Sequence, residues 1–357
     1  LVTVHDVAAR SGVSIATVSR TIRTPHRVTE PTRVRVLEAI SELGYRPNRA
    51  AAGLRRGRTG TIALVVPDID NPYFSSLTKG AQASSRARGY GLVVVDTTEL
   101  AEVELEEIEA VAPQIDGLIL VSSRLDEAAL ADIAAAHRCV LVNRTLEGRD
   151  DATPTVTVDE AAAARAAVEH LAGLGHRHIA YVGGPARSWS QTRRLRGIRD
   201  AAAVQAGFEV TDLGGFEPTA QGGRAAAQDA LDSGATAVIA YNDLAAMGLL
   251  ARWAELGVRV PDDVSLVGFD NTYVAELSAP HLTSVGADLR EVGETAVELL
   301  IERIDGAASR GAAARGAASG VEGADGDAEA ATVAALELHR ELGAQLQVRG
   351  STGRPRP

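Results

Sequence analysis

From Thr61 onward the chain repeats one unit, a short β-branched run followed by an alanine-rich amphipathic stretch. The runs read "TIALVVPD", "GLVVVDT", "GLILVSS", "CVLVN", "TVTVD", "HIAYVGG", "AVIAYND" and "VSLVGFD". Strands this apolar need cover on both faces, and stretches such as Glu160–Leu174 supply it. The alternation predicts an α/β fold built on parallel sheets. Several runs end in Asp, Asn or Gly, as at Asp68, Asn143, Asp159, Asn242, Asp243 and Asp270. Ligands of open α/β sheets bind beyond the carboxyl ends of the strands, so these residues are site candidates. Helix N-caps require the same residue types, which leaves a second reading for each.

The first sixty residues are different in kind. "TVHDVAARSGVSIATVSRTIR" reads as two short helices, with Thr3 as an N-cap and Val4, Val7 and Ala8 on one face. Gly12 permits the turn between them, and Ser14 caps the second helix, whose inward residues are expected to be Val18 and Ile22. A third helix from Thr29 places Val36, Ile40 and Leu43 on one face with Leu37 alongside, and Gly44 ends it. Three short helices with a glycine in the first turn form a helix-turn-helix. On its second helix Ile15, Ala16, Thr17, Ser19 and Arg20 then face outward. Arginine can bind a guanine edge, small apolar groups can meet a thymine methyl, and hydroxyls suit phosphate oxygens.

Charge supports this reading. The chain carries −11 overall, yet residues 1–59 hold eleven arginines against four acids, and the remainder is strongly acidic. A basic head on an acidic body suits a polyanion at one end. Arg23, Arg33 and Arg35 extend the positive surface. Behind the head, "RPNRAAAGLRRGRTG" (from Arg46) carries five arginines and no acid. Its composition alone is that of a linker.

"VTVHDVAARSGVSIATVSR", followed by "VTEPTRVRVLEAISELGYRPNRAAAGLR", closely resembles the DNA-binding head of the LacI/GalR family of bacterial repressors. Further along, "NPYFSSL", "GHRHIAYVGGP", "YNDLAAMGLL" and "VPDDVSLVGFDN" resemble that family's effector-binding core, so the resemblance spans nearly the whole chain. It implies a helix-turn-helix head (1–45), a hinge helix and linker (46–60) and two doubly wound parallel-sheet subdomains like those of periplasmic binding proteins. The first subdomain would take 61–156 and 287–305, the second 157–286 and 333–349. Ile15, Ala16 and Arg20 would read bases. Arg23 stands where many members have asparagine and would serve a phosphate. Asn48, Arg49, Leu54, Arg55 and Arg56 would lie in the hinge, with Leu54 as a wedge in the minor groove.

The same resemblance places an effector pocket at Asn71, Tyr73, Phe74, Asn143, Arg144, Ser188, Ser190, Phe216, Asn242 and Asp270. Aromatic faces with paired donors and acceptors suit a small carbohydrate. Two departures bear on this: Ala287 stands where many sugar binders have glutamine, and an arginine common after "GGP" aligns with Thr192. The implied protein is a cytoplasmic, nucleoid-associated homodimer. It would bind a pseudo-palindromic, CG-centred operator as a repressor and leave it when a sugar binds. A regulator answering to a nucleoside or a partner protein, or a sugar-binding module without regulatory output, are the alternatives.

Rival chemistries lack their motifs. The chain has no G-x-x-x-x-G-K-[ST] loop, no G-x-G-x-x-G after its first strand and no G-x-S-x-G elbow around "GPARSWS". One cysteine, Cys139, rules out an internal disulfide. His176 and His178 have no acid or cysteine grouped with them, so no metal, cofactor or enzymatic activity is expected. No apolar run reaches membrane-spanning length. Residues 306–332, rich in Gly and Ala with almost no large apolar side chain, are expected to be a disordered insertion.

Overall fold

The computed structural model describes residues 2–45, 58–146, 153–317 and 338–356. It divides into two units, residues 1–60 and 61–357. The hinge expectation at 48–56 lies outside the described residues.

The first unit contains α1 (Val4–Ser11), α2 (Ile15–Arg23) and α3 (Glu30–Leu43). At the start of α1 the Thr3 backbone N–H donates to Asp6 Oδ2 at 2.7 Å, a reciprocal cap that satisfies a terminal donor. Gly12 ends α1 at φ +68°, in the left-handed region where a Cβ is unfavourable, which makes the tight turn into α2 possible. Ser14 then accepts from the Thr17 backbone N–H at 3.2 Å. Val7, Ala8, Val18, Val36 and Ala39 form the core, with Ile15, Ile40 and Leu43 packed partly against it. Two inward assignments are corrected. Ile22 is 36% exposed and Leu37 is 50% exposed, while Thr21 is buried. Thr21 tolerates burial because its hydroxyl donates to the Thr17 carbonyl at 2.9 Å, so no polar group is stranded.

The second unit holds two six-stranded sheets. The first contains β1 (Thr61–Val66), β2 (Gly91–Asp96), β3 (Leu118–Val121), β4 (Cys139–Val142), β5 (Thr155–Val158) and β11 (His339–Leu342). Their spatial order is β11-β5-β4-β3-β1-β2, and every pairing is parallel. The second contains β6 (His178–Gly183), β7 (Glu209–Gly215), β8 (Ala237–Ala240), β9 (Ser265–Phe269), β10 (Thr283–Gly286) and β12 (Gln345–Gln347). Their order is β12-β10-β9-β8-β6-β7, with only β12 antiparallel. Each sheet thus reverses its winding beside its first strand, between β1 and β3 and between β6 and β8. Those reversals open a crevice at the carboxyl ends of the strands.

The chain crosses between the lobes after Val158, after Gly286 and after Leu342. The expected boundary at 156 therefore falls inside β5. The stretch 333–349 does not belong wholly to the second lobe, because His339–Leu342 pairs with β5 in the first sheet. The α-helix Leu289–Ala317 packs its N-terminal half on the first sheet. It runs through the first residues of the stretch expected to be disordered, and residues 318–337 lie outside the described residues. Helix pairs pack closely in both lobes. A Cβ on Gly80 would meet the Arg290 carbonyl at 2.0 Å, and one on Gly223 would meet the Ala245 carbonyl at 1.9 Å.

Candidate functional site

Both winding reversals contribute residues to one narrow cleft between the lobes. Each of its residues follows the carboxyl end of a strand. Asn71, Tyr73 and Phe74 follow β1, Glu99 follows β2, Ser122 and Arg124 follow β3, and Asn143 follows β4. From the second lobe, Ser190 and Arg194 follow β6, Pro218 follows β7, Tyr241 and Asn242 follow β8, and Asp270 follows β9.

Asn71 and Asn242 are both caps and cleft residues, so at these positions the two readings of polar groups beyond the strands hold together. Asn71 accepts from the Tyr73 backbone N–H at 3.0 Å and Asn242 from the Ala245 backbone N–H at 2.8 Å. Asn143 sits at φ +48°, donates to the Tyr73 hydroxyl at 2.6 Å and accepts from the Val158 backbone N–H at 3.1 Å. Its amide is fixed at both ends.

Two guanidinium groups dominate the electrostatics. Arg194 lies buried in the helix Trp189–Ala203, with Nε 2.7 Å from Glu160 Oε2 and Nη2 2.9 Å from Asp270 Oδ1. Another bond runs from Nη1 to the Tyr241 carbonyl, and the group lies 4.5 Å from the Phe269 ring centroid and 5.1 Å from that of Tyr241. From the other lobe, Arg124 holds Glu99 through Nε at 2.6 Å and Nη2 at 3.1 Å, and donates from Nη1 to the Ser122 carbonyl at 2.7 Å. Burial lifts the Asp270 carboxyl to about 6 against the pull of Arg194. Behind it, burial and then the Asp270 charge lift Asp243 to about 7, despite hydrogen bonds from Thr272 and Ser284.

Seven of the ten residues placed in an effector pocket line this cleft. Arg144, Ser188 and Phe216 do not. Arg144 turns to the Leu125 carbonyl and Glu127. Ser188 caps its own helix and meets the Tyr241 hydroxyl at 2.8 Å. Phe216 packs partly buried against the second lobe's core, where a large apolar ring gains more from burial than from a polar cleft. Glu99, Ser122, Arg124, Arg194, Pro218 and Tyr241 were missed. Arg194 had a signal: the buried residues Ser190, Gln191, Arg194, Gly197, Ile198 and Ala201 recur at helical spacing, and a lone arginine on such a stripe needs partners. Thr192, the aligned position, is exposed.

On the head, Ala16 and Arg20 are exposed and Thr17 and Ser19 half-buried, while Ile15 packs partly against the core. Ala16 lies in the first turn of α2 and Arg20 one turn further on, so the two share one exposed face of the helix.

Elsewhere the chemistry is structural. Burial pushes the Cys139 thiol up to about 11, which leaves it unreactive. His176 bridges Thr236 and the Gly353 carbonyl at 2.8 and 2.9 Å. Among the described residues, no group of three or more His, Cys, Asp or Glu could hold a metal ion, and no helix is long and apolar enough to cross a membrane.

Residues 3–48 match the family described as bacterial regulatory proteins, lacI family, and residues 168–317 match the periplasmic binding protein-like domain. The HTH-type transcriptional regulator DegA of Bacillus subtilis (strain 168) is 33% identical over 301 residues, covering 82% of this chain and 88% of that protein. A solved complex of the transcriptional regulator CelR with cellobiose is 30% identical, with a TM-score of 0.67 over 98% of this chain and 100% of that one. The lac repressor dimer bound to operator and an anti-inducer is 26% identical, with a TM-score of 0.78 over 99% of each chain. The chain belongs to the LacI family of bacterial transcriptional regulators.

Proposed function

We propose that this regulator is a homodimeric cytoplasmic repressor that leaves its operator when a small carbohydrate occupies the cleft between its lobes. One observation carries the reading: the winding reversals of both sheets face one crevice, lined by fixed amides, paired carboxylates and the rings of Tyr73, Phe74 and Tyr241. Ring faces can pack on sugar C–H groups, and the polar set can satisfy neighbouring hydroxyls. Solved relatives bound to cellobiose and to ribose support that ligand class. A ligand touching both lobes favours one closure of the cleft over another. It can therefore shift operator affinity only through that difference.

On DNA, each head of the dimer reads one half of a pseudo-palindromic, CG-centred operator through Ala16, Arg20 and Ile15, with Thr17, Ser19 and Arg23 on the backbone. Asn48, Arg49, Leu54, Arg55 and Arg56 continue the contact, with Leu54 wedged in the minor groove. Gel shift on a CG-centred palindrome tests the assignment. Arg20→Ala should weaken binding and relax base preference, with a loss of about 1–3 kcal/mol. Leu54→Ala should weaken operator binding and leave effector affinity unchanged. Binding that is insensitive to both salt and sequence would sink the DNA assignment. Failure of every compound in a carbohydrate panel to release the operator would sink the effector assignment.

A further inference from the structure

We infer that the cleft selects uncharged polyhydroxy ligands and rejects their phosphorylated or carboxylated forms, with Glu99 and Glu160 as the residues that set this preference. The inference rests on the effector reading above and deepens it.

Both cations of the cleft are already compensated inside the protein. Arg194 has five N–H donors, and four are engaged: two by Glu160, one by Asp270 and one by the Tyr241 carbonyl. Arg124 gives two donors to Glu99 and one to the Ser122 carbonyl. Two carboxylates, Glu99 and Asp270, thus line the cleft with the two guanidinium groups, and a third, Glu160, stands behind Arg194 in an adjoining cavity. The Arg124 and Arg194 side chains are only 5% and 6% exposed, so solvent does little to screen a new charge there. An entering phosphate would face net negative charge in a poorly hydrated space.

Helix N-termini, the other anion binders of such folds, are also occupied. The helices Pro72–Ala87, Trp189–Ala203 and Asp243–Glu255 begin near the cleft. Asn71, Ser188 and Asn242 each accept a first-turn backbone N–H. The first of these helices opens on Pro72, which has no N–H, and the third opens on the carboxyl group of Asp243. A hydroxyl meets none of these obstacles. It donates to the remaining lone pairs of Glu99 or Asp270 and accepts from the remaining guanidinium N–H groups.

Glu160 acts behind Arg194. It lines an adjoining cavity with Tyr73 and Asp270 and holds the Arg194 guanidinium at 2.7 Å. Glu99 is the more accessible of the pair, with 24% of its side chain exposed.

Calorimetric titration of the full-length protein tests the inference with matched pairs. These are D-ribose and ribose 5-phosphate, D-glucose with glucose 6-phosphate and gluconate, D-galactose and galactose 1-phosphate, and cytidine and its 5′-monophosphate. Each anionic compound should bind at least tenfold more weakly than a neutral parent that binds. An anionic form within tenfold of its parent, or tighter, would overturn the selectivity and leave the effector reading standing. No binding by any compound would overturn the effector reading and the selectivity together.

Glu99→Gln should then narrow the neutral-to-phosphate affinity ratio at least tenfold in a protein that circular dichroism shows to be folded. Glu160→Gln should do the same wherever its circular dichroism shows a folded protein. An unchanged ratio in folded Glu99→Gln assigns the preference elsewhere, whatever Glu160→Gln does.

Discussion

The two lobes face the same cleft with one arginine each, and they mount it differently. In the second lobe, Arg194 sits on the buried stripe of a helix, between two carboxylates and two aromatic rings. In the first, Arg124 follows the end of β3 and is paired with one partly exposed carboxylate. The first arrangement joins the site to the core of the lobe. The second buries Arg124 just as deeply but leaves its partner, Glu99, at a lip where part of the carboxylate meets water. Ligand recognition and stability are therefore coupled in one wall of the cleft and largely separable in the other.

Arg194→Met and Arg124→Met should expose that difference most strongly. Removing Arg194 strands Glu160 and Asp270 in the core, and an uncompensated buried charge costs about 3–5 kcal/mol. Denaturant unfolding should show that loss. Removing Arg124 leaves Glu99 able to rehydrate, and the cost should stay near about 1 kcal/mol. Both variants should lose effector affinity. Equal destabilisation would erase the distinction between wall and lip.

A smaller effect sharpens the same comparison through pH. Asp243 at about 7 and Asp270 at about 6 both lie above the value near 4 of an unfolded aspartate. The folded second lobe thus holds protons that the unfolded chain releases between about pH 4 and 7. The stability they contribute is fully present below pH 4 and is lost as pH rises through the folded values. Asp243→Asn keeps an acceptor for Thr272 and removes one of these protons. The fall in stability across that window should flatten by up to one proton's slope, measured by unfolding at a series of pH values. A slope identical to that of the parent protein would mean that Asp243 stays ionised.

Much of this was legible in the sequence because backbone demands leave strong marks. The apolar runs located the main strands, and three strand-end residues, Asn143, Asn242 and Asp270, line the cleft, while Asn71, Tyr73, Phe74 and Ser190 were placed by the family resemblance alone. β11 was missed because "HREL" has no apolar alternation, and only its backbone ladder with β5 makes it a strand. Arg124 and Arg194 were missed for a related reason. A charged side chain at a buried position declares itself only through partners distant in sequence, here Glu99 for one and Glu160 and Asp270 for the other. Phe216 and Ser188 failed in the opposite way, since each has the right chemistry for a ligand and a nearer structural use.

The head shows the same rule on a smaller scale. On α2 the buried positions are Val18 and Thr21, spaced as neighbouring turns require, and Ile22 falls one step past the stripe. Helical position, not hydrophobicity, chose the polar residue for the inside, just as it placed Arg194 between Ser190 and Ile198 on the buried stripe of its helix. Thr21 differs from Arg194 in finding its partner four residues away, so it makes no demand on the rest of the fold. Ile22→Ser should therefore change head stability by no more than about 0.5 kcal/mol. Val18→Ala, which empties a fully buried site, should cost about 2 kcal/mol. Thermal unfolding of the pair decides between the two inward assignments, because a cost at Ile22 matching that at Val18 would place Ile22 in the core after all.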